Sequence, residues 1–535
     1  MNGNDSWDMY KEYLYVNELL GLTLDVGCMN FAPEYFKEME PKIQQAFLSM
    51  RELEKGEIAN PDEKRMVGHY WLRDVSRAPN EEIRQEINDT IEKIKKFVQK
   101  VKKGSIVSSK GKLFTRFLLI GIGGSALGPQ LLSDALGKAK SSLKAYYFDN
   151  TDPDGMDRVM SDLADYLEET MVIVISKSGG TVETCNGMQE IRHCFSEKGI
   201  DFTKHVVAVT TTESKLDKEA QKSEWLARFY IWDWVGGRTS IASAVGLLPV
   251  ALQGIDIDAF INGMRDCDEA TRNMQTLKNP AAILALTWNY ALEKRGKGNM
   301  VVLPYRDKLQ LFSRYLQQLV MESLGKEKDL NDNTVHQGIT VYGNKGSTDQ
   351  HAYVQQLLDG VEDSFVTFIE VKKDQRLKPV LVDEDVTSGD YLKAFLEGTR
   401  RALKKKGRDS LTIGIEELNP YSMGVLIALF ERTVGLYANL INVNAYNQPG
   451  VELGKKSANT YIDVHHRVLF CLRENKDKLL TVEEVAKEAG IPQEVEFVYK
   501  VLERCCINKL YGVKKEKGKN VFSGKYGLDR GLNDC

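Results

Sequence analysis

IVISKSGGTVET, residues Ile173–Thr184, decides how the rest of the chain is read. Apolar, mostly β-branched residues from Met171 run into Ser176, Lys177, Ser178, Gly179, Gly180 and Thr181, and a helix-like pattern follows. The pattern predicts a buried strand that ends in hydroxyls and glycines at a helix N-terminus. Such a turn suits a phosphate. Free backbone N–H groups and the positive end of the helix dipole face the anion, hydroxyls add donors, and glycine lets the anion come close. An ordinary strand-to-helix turn with good N-cap residues has the same local composition. The surroundings have to decide between the two.

Outward from this stretch, short apolar runs alternate with amphipathic ones: Phe117–Ile122 then Ala126–Gly137, Lys144–Phe148 then Pro153–Leu167, His205–Val209, and Phe229–Trp232. Strand alternating with helix is the signature of a doubly wound parallel sheet. A helical connector follows (239–252, 256–277, 280–293). The alternation then resumes with Met300–Pro304, Gly338–Tyr342, Phe365–Val371, Leu411–Ile415 and Leu440–Val443. The expectation is an α/β protein: an N-terminal helical region (1–104), a first α/β subdomain with its helical connector (105–278), a second α/β subdomain (279–460) and a small winged-helix-like extension (461–535). That extension has near charge balance, and its candidate reading helix carries Glu494, Glu496 and Glu503, which would repel phosphates. It reads as a packing or oligomerisation element, not a nucleic-acid reader.

With 535 residues there is chain for three or four domains. A formal net charge of −4 argues against a general nucleic-acid or anionic-membrane binder. No apolar run reaches membrane-spanning length and the N-terminus is polar and acidic, so neither a span nor a leader is expected. Eight scattered cysteines without a CxxC pair suit reduced thiols, and seven histidines without HxxxH spacing give no metal signal. The expected setting is cytoplasmic.

Several further stretches carry chemistry. GIGGSALGP (121–129) is a second Gly/Ser loop after a strand, presenting Ser125; Ala126 stands where a GxGxxG dinucleotide loop needs glycine, which favours a small phosphorylated ligand. In FSRYLQQLVMESLG (312–325), Gln318 and Glu322 share a helical face near Gly325, facing either a cleft or solvent. Arg238 follows Gly236-Gly237 at a helix start, a good place for a cation reaching toward an anion. His351 sits in GNKGSTDQHAYVQQL (343–357), a loop poorly suited to a core histidine. Gln448 and Lys455 lie in NAYNQPGVELGKK (444–456). His69 and Trp71, in NPDEKRMVGHYWLRD (60–74), read first as packing and capping residues.

Taken in order, GIGGSALGP, SKSGGTVET, GGRTS with SAVGLLP, QLVMESLGK, GSTDQHAYVQ and QPGVELGK resemble the phosphoglucose (glucose-6-phosphate) isomerase family, in its bacterial and cyanobacterial branch. NPDEKRMVGHYWLRD joins the resemblance, which covers about residues 10–460. It implies two sugar-isomerase (SIS) α/β subdomains and a homodimer acting on glucose 6-phosphate and fructose 6-phosphate without metal or redox cofactor. By position, Ser125, Ser176, Ser178 and Thr181, with the backbone at Lys177, match the sugar-phosphate cradle. Glu322 matches the base, Arg238 the residue beside the enediolate, and Gln318 and Gln448 substrate contacts. His351, supplied across the interface, and Lys455 match the ring-opening groups. Gly179-Gly180 and Pro449 vary from the better-known animal pattern. A rival of another class is a sugar-phosphate sensor without turnover, which would keep the phosphate loop but not need Glu322, His351, Arg238 and Lys455 together.

Overall fold

The computed structural model describes residues 3–137, 143–374 and 378–529. The chain falls into two compact units, Met1–Asn447 and Gln448–Cys535.

In the first unit, five parallel strands form one sheet in the order Lys144–Phe148, Arg116–Ile120, Thr170–Ser176, Val206–Thr210, Ala227–Tyr230. Thr170–Ser176 is central and buried at every position, as expected of a strand covered by helices on both faces. Its register pairs Ile120 with Val174 and Ser176 with Thr210. The loops after Ile120 and Ser176 therefore leave neighbouring strands at the same carboxyl edge, where open α/β sheets bind ligands.

The second sheet has six strands in the order Leu14–Asn17, Leu22–Cys28, Ser410–Ile415, Ser364–Val371, Asn299–Pro304, Thr340–Tyr342. The last four are parallel, while the first two add antiparallel at the edge. This corrects the reading of residues 1–104 as wholly helical. Leu22, Leu24, Val26 and Cys28 alternate toward the core, a period-2 signal in a run of only seven residues. A second correction concerns Leu440–Val443, expected as a strand. Helix Pro420–Leu440 ends there instead, with Asn442 in the left-handed region (φ 57°). The Val443 amide reaches Ala438 O and the Asn442 amide reaches Asn439 O, the Schellman closure that asparagine can adopt.

Helix Pro420–Leu440 is apolar and long enough to pass as a membrane span by composition, but 89% of that window is buried inside the protein. It packs on Ile257–Thr271 at very close range. A Cβ on Gly263 would fall 1.9 Å from Tyr421 O, and one on Gly424 2.2 Å from Phe260 O.

The second unit begins with helix Pro449–Glu474, which runs unbroken past the 460/461 boundary drawn from sequence. Helices Val482–Glu488 and Val495–Ile507 follow, then hairpin Val513–Glu516/Lys525–Leu528 and a bridge from Leu480 to Tyr526. Helices followed by a two-stranded wing make the winged-helix-like arrangement. Its own core includes Val464, Val468, Leu472, Val485, Val498, Val501 and Tyr526.

Candidate active site

At the end of the central strand, Ser176 is buried and its Oγ lies 3.0 Å from Thr181 Oγ1. Thr181 is the N-cap of helix Val182–Glu197, yet its side chain makes no capping bond. The first-turn amides are thus left for an anion rather than closed by the cap. Ser178 is exposed and accepts from the Gly180 amide at 3.3 Å. Gly179 takes φ 67° and packs against Leu216 N, so only glycine fits that turn. Lys177 turns away: its Nζ donates to Asp233 O (2.8 Å) and Val235 O (2.9 Å), and burial, then Arg65, pushes its ammonium down to about 8.

The neighbouring loop, Gly121–Ser125, connects this edge to the catalytic residue types. A Cβ on Gly124 would lie 2.0 Å from Gly237 O, so the loop backbone rests directly on the Gly236–Arg238 turn. A Cβ on Gly123 would sit 3.1 Å from Gln318 Nε2. Gln318 in turn donates to Glu322 Oε2 at 2.9 Å. The shared face inferred from their spacing is real, although the turn Gln317–Glu322 is π-helical, a distortion frequent at functional sites. Glu322 is held on Arg238: its other oxygen, Oε1, lies 3.0 Å from Arg238 Nη2.

Arg238 is buried. Its Nη1 donates to Ser323 Oγ (3.2 Å) and Ala445 O (3.1 Å), and its Nη2 to Asn447 O (2.9 Å). Burial lowers its pKa, and the Glu322 carboxylate opposes that shift. Behind it lies a small cavity of about 50 Å³ lined in part by His69, Thr239, Ser323 and Tyr446. His69 is fully buried, and neither ring nitrogen has a hydrogen-bond partner among the described residues. Burial, with Arg73 and Arg432 nearby, holds it well below its usual pKa and so neutral. Deeper still, Arg73 pairs with Asp268 at 2.9 Å and with Glu431, and Arg432 pairs with Glu54 and Asp268, a buried network of ion pairs.

The structure therefore brings together Ser125's loop, Ser176, Thr181, Gln318, Glu322 and Arg238. His351 is different. It is exposed at the end of the turn Thr348–His351, and among the described residues no contact joins it to Glu322. The loop is nevertheless held firmly: buried Asp349 accepts from the Asn344 and Lys345 amides at 3.0 Å each and from Tyr353 Oη. Gln448 and Lys455 belong to the second unit; Lys455 lies on helix Pro449–Glu474 and its side chain falls outside the described residues. Sequence reasoning missed Lys326 and Asp349. The signal for Lys326 was a cation just beyond the helix-ending Gly325, and for Asp349 an aspartate among glycines and serines. Among the described residues, no group of three or more His, Cys, Asp or Glu is placed to hold a metal.

A carboxylate and a guanidinium locked together beside an anion-receiving loop form an apparatus for moving a proton next to developing negative charge. With two α/β sheets around it, the class is that of the sugar-phosphate isomerases. The family model for phosphoglucose isomerase matches residues 38–468, and the chain belongs to that family. A glucose-6-phosphate isomerase of Geotalea daltonii is 54% identical over 526 residues, 98% of this chain and 99% of that protein. One from Nostoc punctiforme is 52% identical over 509 residues, 95% and 96% of the two chains. The crystal structure of a glucose-6-phosphate isomerase from Chlamydia trachomatis matches with TM-score 0.78 at 25% identity, covering 85% of this chain and 90% of that one. The curated relatives thus extend past about residue 460, where the resemblance read from the sequence motifs stops.

Proposed function

We propose that Glu322 is the base with which this chain interconverts glucose 6-phosphate and fructose 6-phosphate, the aldose–ketose isomerisation of its family and a step of glycolysis and gluconeogenesis. The observation that supports this most is the 3.0 Å pair between Glu322 and Arg238. In the open-chain aldose the Glu322 carboxylate takes the C2 proton. The C2–H electron pair becomes the C1=C2 bond of a cis-enediol(ate) as O1 gains a proton. Loss of the O2 proton and return of the carried proton to C1 gives the ketose. One carboxylate on one face makes both transfers. Arg238 is fixed where charge collects on the enediolate oxygen, so it stabilises the transition state more than the ground state.

Ser125, Ser176, Ser178, Thr181 and the backbone at Lys177 hold the phosphate, and its binding orients the sugar for the reaction. Gln318 holds the Glu322 carboxylate and, with Gln448, contacts substrate. His351 and Lys455 open the sugar ring; a histidine of pKa ~6.5 can exchange the ring proton near neutrality. We further propose that the enzyme is a cytoplasmic homodimer in which each His351 serves the other subunit. Its exposure on a rigidly held turn supports that role.

The test supplies EDTA-treated protein with fructose 6-phosphate and follows glucose 6-phosphate through an NADP-linked dehydrogenase, beside Glu322→Gln. Turnover is expected in the parent, with a loss of roughly 10²–10⁴-fold in the variant and sugar-phosphate binding retained. Full activity in Glu322→Gln would reject the base assignment. Saturable binding without turnover in the parent would favour the sensor.

A further inference from the structure

Lys326 lies four residues beyond Glu322, just after the chain leaves the helical turn at Gly325, and it is only 6% exposed. Its Nζ donates to two main-chain oxygens, Glu322 O and Asn447 O, each at 2.9 Å. Asn447 O is the same carbonyl that receives Arg238 Nη2 at 2.9 Å. Two cations thus grip one carbonyl, and each also holds Glu322: Arg238 by its carboxylate, Lys326 by its backbone. The 444–447 segment is itself anchored, with Asn444 Nδ2 donating to Asp62 Oδ2 at 2.7 Å and Asn447 Nδ2 donating to the same carboxylate.

A lysine after a helix often caps the last carbonyls, but a cap works at the surface, where the ammonium stays hydrated. Here the ammonium is buried beside another cation. The charged groups that act on it are Arg238 from the 237–239 turn, Glu322 from its own turn and Asp62 from the 61–64 turn. Desolvation and Arg238 together push it down to about 8 against the two carboxylates. Helix capping alone does not require that burial. Fixing the position of the Glu322 main chain does.

We propose that Lys326 is a positioning residue of the isomerisation: by tying the Glu322 backbone to the Asn447 carbonyl, it sets where the Glu322 carboxylate stands relative to Arg238. The inference rests on Glu322 being the base. Its consequence is specific to a single carboxylate that must serve two adjacent carbons. A carboxylate free to wander keeps its basicity but delivers its proton to C1 less reliably, and exchanges it with solvent more often.

The test compares Lys326→Met, Lys326→Arg and Glu322→Gln in the full chain, using fructose and glucose 6-phosphates for the kinetics and glucose 6-phosphate deuterated at C2 to measure transfer to C1 against loss to water. Lys326→Met should lower kcat about 10- to 100-fold, with KM within roughly threefold. The fraction of label transferred should fall, and Lys326→Arg, which keeps the cation, should recover most of both. The partition fraction is independent of how much protein is folded, because only folded molecules turn over. If Lys326→Met does not accumulate, Lys326→Gln provides the same readouts. Wild-type kcat and unchanged partition in the neutral variant would overturn the inference while Glu322→Gln stays inactive. Turnover in Glu322→Gln would instead overturn the base assignment on which it rests.

Discussion

Both Nη atoms of Arg238 are engaged, with Ser323, Ala445, Asn447 and Glu322 as partners. A donor that need not reorganise when charge develops is worth most in catalysis. Arg238→Ala should therefore lower kcat by about 10²–10³-fold and change KM far less; steady-state kinetics with fructose 6-phosphate decide this, and a pure KM effect would make Arg238 only a binding group. At this scale much was legible, because Glu322, Arg238 and Ser176 stand in short runs whose neighbours dictate a strand end or a helix start. Lys326 was legible only as a cation after Gly325, not as a member of the site. Its importance comes from burial and from a carbonyl 121 residues away, and neither leaves a mark in local composition. His69 reads as a packed residue, but its neutrality comes first from burial and then from arginines brought alongside by the fold.

Among the elements, the contact between the loop Gly121–Ser125 and the turn Gly237–Thr239 is one that side-chain bulk cannot enter. Gly124→Ala would place a methyl 2.0 Å from Gly237 O, so the two backbones must separate. The expected cost is roughly 1–3 kcal/mol together with weakened turnover, read by urea denaturation and by assay. Gly180→Ala is the matched control in the neighbouring Ser176–Thr181 loop: a Cβ there meets nothing within 4 Å, and stability should stay within about 0.5 kcal/mol. The alternation of strands and helices from Arg116 onward was readable from periodicity. What escaped were elements whose pattern is short or ambiguous. Leu22–Cys28 finds its partner strand, Ser410–Ile415, almost four hundred residues later, and the apolar Leu440–Val443 closes a helix rather than starting a strand.

For the whole molecule, the site draws on both α/β sheets and on the segments between them. Arg238 follows the first sheet, Glu322 lies between strands of the second, and Ala445 and Asn447 come from the far end of the first unit. The buried network of Arg73, Glu54, Asp268, Glu431 and Arg432 joins segments just as distant. Such contacts close late, because the loop entropy must be overcome before they contribute. The Arg238–Ala445 bond, spanning 207 residues, thereby gives the enzyme an internal clock. After dilution from urea, the helical signal in circular dichroism should return first and turnover only after a delay. Activity recovering in step with the helical signal would mean the distant segments meet early. A measurable delay makes the appearance of isomerase activity a report that this 207-residue loop of the first unit has closed.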